Sequence, residues 1–279
     1  MVAFSKRPRD AQTTLRREKR GVARSSKLWI VALALTLAAL GWQWRSGPSY
    51  PYRTKITLGH AATPVSLPRN SSTVWPARVA VPAPDGHASG TVYWRRVPTN
   101  GPFEVLPLRS GGDQLAAALP GLPPAAKVEY YVELGVGAES VRIPSTAGGT
   151  VTLRYHGPIP AVVLIPHIAV MFLAMLIGVR AGLAAMSDAP EHGSLAVIAL
   201  AAFTLGGFIL GPITQKYAFG TFWTGVPFGW DLTDNKTLLM WIGWAAAVVA
   251  ARRRWRGSRW FVVLATVLML AVFLVPHSA

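Results

Sequence analysis

"LWIVALALTLAALGWQW", Leu28–Trp44, contains no charged residue, and Lys27 and Arg45 close it on either side. The run is close to the roughly 20 residues that a membrane-spanning helix needs. It could be the core of a cleaved signal peptide. The basic region ahead of it is very long, however, and no small-x-small pair ends it cleanly. Trp42 and Trp44 have the character of an interfacial belt. The stretch reads as an uncleaved transmembrane signal anchor over 28–44, preceded by a basic cytoplasmic tail over 1–27.

The composition agrees. Of 279 residues, 51% are hydrophobic and only 14% are charged, the profile of a membrane protein with a water-soluble portion. The chain has no cysteine, which excludes disulfides, thiolate metal sites and covalent haem attachment through its own thiols. The net charge is +16, and most of it comes from two places: nine Lys/Arg within 1–27, and five arginines in "RRRWRGSR", 252–259. Both clusters flank apolar runs, as the positive-inside rule requires. The expected partner of this charge is therefore membrane lipid and not nucleic acid.

Residues 45–157 differ in kind. "ARVAVP", "GTVYWRRV", "FEVLPL", "QLAAALP", "KVEYYVEL", "SVRIP" and "GTVTLRYH" alternate apolar and polar residues between Gly/Pro turns. That is the pattern of half-buried antiparallel strands, and about seven of them in some 100 residues predict a β-sandwich. "LPGLPPAAKVEYYVEL", with Tyr130 and Tyr131 in its strand, resembles the fibronectin type III and immunoglobulin-like pattern. The resemblance implies a fold and no function.

Residues 158–279 hold four further apolar runs, at about 160–180, 195–213, 237–251 and 260–275. They predict a four-helix transmembrane domain. With the N-terminus and the arginine cluster cytoplasmic, five spans place the β-sandwich and the C-terminus outside. In a bacterium this means an inner-membrane protein with a periplasmic sandwich.

The loop "YAFGTFWTGVPFGWDLTDNK", Tyr217–Lys236, then also lies outside. It is far richer than a plain connection needs to be. Gly207 and Gly211, just before it, form a GxxxG pair that lets a helix or a flat ligand approach closely. Pro212 marks a kink or a helix end. Asp231, Thr233 and Asp234 are candidate caps for the next helix, and Lys216, Asp231, Asp234 and Lys236 read as charges that fix the loop. Its six aromatic residues, Tyr217, Phe219, Phe222, Trp223, Phe228 and Trp230, with glycines between them, suit either an interfacial belt or a shaped platform.

"LGGFILGPITQKYAFGTFW…WDLTDNKTLLMWIGW" resembles the tryptophan-rich haem-handling segment of CcsA/CcmF-type cytochrome c assembly proteins. Ala218, Phe219, Gly220, Phe222, Trp223, Trp230, Asp231, Lys236 and Thr237 match in order. Phe219 and Phe222 replace Trp and Tyr, Leu232 replaces a proline, and extra residues separate Trp223 from Trp230. The resemblance implies a possible haem site walled by these aromatics, with axial histidines on either side, here His167 and His277. His167 lies inside an apolar run, where a titratable group is a candidate by default and a suitable iron ligand. His60, His87, His156 and His192 lack metal-ligand spacing. Met171 and Met175 follow His167 on one helical face and read as packing.

No nucleophile elbow, P-loop, HExxH or catalytic carboxylate pair is present, so nothing in the sequence demands an enzyme. Two expectations remain. In one, a membrane module holds haem or a similar flat cofactor for cytochrome assembly or electron transfer. In the other, a structural or assembly subunit binds a periplasmic or membrane protein partner through its sandwich.

Overall fold

The computed structural model describes residues 8–58, 61–83, 88–99, 101–137 and 139–275. His60, His87 and His277 lie outside the described residues. The chain divides into two compact units. One is helical and comprises residues up to Gly41, Ile168–Phe208 and Lys236–Leu274. The other holds Trp42–His167 together with Ile209–Asn235, so it contains both the strands and the aromatic loop.

The helices are α1 (Pro8–Ser46), α2 (Ala161–Met186), α3 (His192–Phe203), a π-helical segment (Thr204–Leu210), α4 (Gly211–Phe219), α5 (Leu232–Arg252) and α6 (Ser258–Leu274). Among the described residues, three stretches are long and apolar enough to cross a membrane: Ser25–Ser46, Ala161–Met186 and His192–Phe219. Helix α6 is a shorter apolar helix.

Of the two readings of Pro212, a kink or a helix end, the second is corrected. The helical path runs from His192 through the π segment to Phe219, with Pro212 in the first turn of α4. A proline is tolerated there because its missing N–H has little to lose at a helix start. Gly220 ends the path instead. It takes the left-handed conformation (φ +85°) and donates its N–H to the Lys216 carbonyl, the usual role of glycine just past a helix.

Small residues hold the helical unit together. Ala174, Met175, Ala181, Ala196, Ala199, Phe203, Trp244 and Met269 form part of its buried core. A Cβ on Gly178 would lie 2.9 Å from both Trp244 and Met269, and one on Gly182 only 2.5 Å from Thr266 Oγ1. Thr266 in turn donates its hydroxyl to the Gly178 carbonyl (3.1 Å), with Val262 O also in reach (2.9 Å). Trp241 Nε1 donates to Thr204 Oγ1 at the start of the π segment (2.9 Å). Such close backbone approach and interhelical hydrogen bonding are the usual means of association between apolar helices. Gly182→Ala is therefore expected to destabilise the protein by roughly 1–3 kcal/mol through overpacking against Thr266. Thermal unfolding in detergent measures this, and Thr266→Ser in the same chain should restore part of the loss.

Among its described residues the other unit has eleven strands: β1 (Tyr52–Leu58), β2 (Ala61–Leu67), β3 (Asn70–Ser72), β4 (Ala77–Pro82), β5 (Ser89–Val97), β6 (Glu104–Pro107), β7 (Arg109–Gly111), β8 (Gln114–Leu119), β9 (Lys127–Val136), β10 (Glu139–Ile143) and β11 (Val151–His156). They form three sheets. One pairs β1 with β2, one runs β3-β11-β9-β5-β6 with β10 also on β9, and one runs β4-β8-β7. The pairings are antiparallel except for β3 on β11.

The alternation read in the sequence is real. In β9, Val128, Tyr130, Val132 and Leu134 are buried, and they share one core with Val79 and Val81, Val92 and Trp94, and Leu153 and Tyr155. Tyr130 and Tyr155 donate their hydroxyls to the carbonyls of Pro68 (2.7 Å) and Pro120 (2.8 Å). Burial raises the Tyr130 phenol well above its ordinary pKa and raises that of Tyr155 to about 12. Tyr131 points to the opposite face, where it stacks on Tyr93 (4.7 Å) under the Arg142 guanidinium (3.6 Å). The three earliest strands were not among the segments predicted. "YRTKITL" is mostly polar and Pro64 interrupts "AATPVSL", yet Ile56, Val65 and Leu67 still reach the core.

Candidate functional site

The aromatic loop is built around one buried carboxylate. Helix α5 begins at Leu232, five residues ahead of the run predicted from 237, because Asp231 caps it. Asp231 Oδ1 accepts the backbone N–H of Thr233 (2.9 Å) and of Asp234 (3.1 Å), a side-chain cap of otherwise orphaned donors. Asp234, only 5% exposed, then turns back to the loop. Its Oδ2 accepts from Thr224 N (2.6 Å), Gly225 N (3.0 Å), Thr224 Oγ1 (3.2 Å) and Gln215 Nε2 (3.1 Å). Asn235 Oδ1 accepts the Val226 N–H (2.7 Å). Loop and helix start are thus tied by the side chains of Asp234 and Asn235. A Cβ on Gly225 would fall 2.6 Å from Asp234 Cβ, which explains a glycine at that point.

The same loop is braced against the strands. The Gly157 N–H, just after β11, donates to the Ala218 carbonyl (2.8 Å), and the Arg154 guanidinium covers the Phe219 ring at 3.9 Å. Asp231 also acts on this surface electrostatically. Burial and the neighbouring Arg154 charge lower the Lys127 pKa, while Asp231 opposes them. Burial likewise lowers that of Arg154 against the opposing pull of Asp231.

The four residues read as loop-fixing charges make different contacts. Asp231 and Asp234 act mainly through N–H and O–H donors. Lys216 donates to the Gly220 carbonyl (2.7 Å) and lies over Phe222. Lys236 is buried in the first turns of α5.

The predicted cofactor residues that are described each have local surroundings of their own. Trp223 folds into its own loop and donates Nε1 to the Val226 carbonyl (3.1 Å). Trp230 and Phe228 stand outward, 88% and 82% exposed. Trp223 is thus half-buried and tied within its own loop, while Trp230 stands in the open. Phe219 is occupied by Arg154. Gly207 packs against α5, where a Cβ would meet Thr237 Cγ2 at 2.7 Å, and Gly211 is the half-buried first residue of α4. His167 is half-buried in α2, one residue after Pro166. Met175 is fully buried in the helical core with Met171 packed against it, so the methionine stripe is packing, as expected. Among the described residues, no three His, Cys, Asp or Glu side chains group as a metal site. His192 and His156 each place Nδ1 on a nearby carbonyl, those of Ala189 and Gly157.

One charged residue escaped the sequence reading. Arg180 lies in α2 at 1% exposure. Its Nη2 donates to Glu191 Oε1 (2.8 Å) and Ser25 Oγ (3.3 Å), and its guanidinium lies 5.4 Å from the Trp29 ring centre. Its Nε and Nη1 are buried without hydrogen-bond partners. Arg180 coincides with the end of the apolar run predicted at 160–180. The helix continues through "AGLAAM" to Met186 and encloses it.

No protein-family model and no curated protein matches the chain.

Proposed function

We propose that the protein is a non-catalytic structural or assembly subunit of a bacterial inner-membrane complex. Its basic N-terminus is cytoplasmic, Leu28–Trp44 anchors it, its β-sandwich, immunoglobulin-like in character, works in the periplasm, and its four-helix domain lies in the membrane. The aromatic loop is its contact face for a protein partner. The observation that carries this reading is the division of labour in the loop. Its carboxylates are spent on internal hydrogen bonds, while Phe228 and Trp230 project from a backbone braced on both sides. Exposed aromatics on a rigid support lose little conformational entropy on binding and are typical interface anchors.

A photo-crosslinking residue in place of Phe228, in the full chain in native membranes, tests this. A discrete protein adduct is expected, and it should disappear when Trp230→Ala is added. Adducts to lipid alone would make the aromatics an interfacial belt and overturn the partner reading. Visible absorption of the purified protein tests the competing expectation. A Soret band weakened by His167→Ala would restore haem holding as the function.

A further inference from the structure

A second feature of the strand-bearing unit is a cationic pocket of about 680 Å³ where α1 meets the first strands. Arg45, Arg53 and Arg69 line it, with Tyr50, Thr150 and Thr152. The local fold brings the three arginines together. Arg45 is in the last turn of α1. The chain then turns tightly at Gly47, whose N–H bonds to Gln43 O while its carbonyl accepts the Tyr50 N–H. Trp44 packs edge-on to Tyr50 (5.1 Å), and the Arg53 guanidinium lies over the same Tyr50 ring (4.9 Å). The β1–β2 ladder sets Tyr52 opposite Leu67, and Arg69 follows that strand. Its carbonyl accepts the Arg154 N–H (3.0 Å), which holds it beside β11.

Among the described residues, none of these three arginines is ion-paired with a carboxylate. Thr150 donates its hydroxyl to Glu129 (3.1 Å), but Glu129 is itself paired with Arg95. Arg45 alone would be explained by the negative end of the α1 dipole. Three arginines lining one cavity without a carboxylate partner are not, and the guanidinium fork matches a phosphate group.

We propose that this pocket binds the phosphodiester headgroup of an anionic phospholipid. The source of the phosphate follows from position along the chain. Arg45 closes the stretch Ser25–Ser46, which is long and apolar enough to cross a membrane, so the pocket begins where the chain leaves the headgroup layer. The volume suits a lipid headgroup, and the site does not depend on any partner of the aromatic loop.

The test uses the full chain in detergent, offered phosphatidylglycerol and phosphatidylcholine with the same acyl chains, with retained lipid counted by native mass spectrometry. The wild type is expected to retain phosphatidylglycerol in preference. Arg45→Gln, Arg53→Gln and Arg69→Gln combined should reduce that preference by roughly tenfold or more, as loss of charge-assisted hydrogen bonds implies. Arg109→Gln, which removes an exposed charge from β7, should leave it intact. Should the triple variant not fold, Arg69→Gln alone carries the test with a smaller loss. Equal retention of the two lipids, or an undiminished preference in the folded variants, overturns the proposal. In a parallel arm with inorganic phosphate, saturable binding without lipid preference would place the ligand in solution and overturn the lipid assignment.

Discussion

Glu191→Ala is expected to lower the stability of the helical unit by about 2–3 kcal/mol, while Arg180→Met leaves it nearly unchanged or raises it. The asymmetry follows from where the two charges sit. The Arg180 side chain is 2% exposed and that of Glu191 is 38% exposed. Removing the carboxylate strands a buried cation, whereas removing the cation frees a carboxylate that water can reach. Breaking a buried pair by deleting one partner costs about 3–5 kcal/mol, and the solvation of Glu191 lowers that figure here. Methionine fills the space of the arginine stem without needing hydrogen bonds, and Nε and Nη1 of Arg180 have none to lose. Thermal unfolding of both variants in detergent decides the matter. Equal losses would show that Arg180 acts through packing alone.

The pH dependence of the same pair has a definite sign. The hydrogen bond from Arg180, with a lesser backbone contribution, lowers the Glu191 pKa below its ordinary value. A carboxyl depressed in the folded state stabilises above its unfolded value, and that contribution is lost as pH falls through the folded one. The wild type should therefore lose stability on acidification below the ordinary carboxylate range, and Arg180→Met should lose less.

Asp234→Ala is expected to cost about 2–4 kcal/mol and to loosen residues 220–231. It orphans the N–H groups of Thr224 and Gly225, and a buried donor left without a partner costs roughly 1–3 kcal/mol. Limited proteolysis or hydrogen exchange should show the loop opening while the strands stay protected. Asp234→Asn, which keeps one acceptor oxygen, should recover part of the stability. A loop as protected in the alanine variant as in the wild type would mean that the contacts of Arg154 and Gly157 suffice to hold it. Because Trp230 and Phe228 project from this loop, the same variant should also weaken their contact with a partner.

Much of the chain's organisation was legible without a structure. Periodicity marked β4, β5 and β9, because each buries alternate side chains in one core, and composition alone separated Leu28–Trp44 from the strand-forming residues after it. Asp231 was legible as a cap, since capping is a local interaction over two or three residues. What tertiary structure decided is of longer range. Pro212 reads as a kink or a helix end, but a π segment leads into α4, which carries the helical path past it to Gly220. Asp234 looks like one of four charges that fix the loop, and its partners come from Gln215 and from the turn at Thr224–Gly225, which only the folded loop brings within reach. Arg180 draws no notice at the end of an apolar run, and burial against Ser25, Trp29 and Glu191 makes it an interior cation. Arg45, Arg53 and Arg69 are ordinary basic residues where they stand in the sequence. The turn at Gly47 and the β1–β2 ladder bring them around one pocket. The sequence by itself determines what depends on near neighbours and on apolar period, because those forces act within a few residues. Which distant charges meet depends on chain topology, and that was decided only in the folded protein.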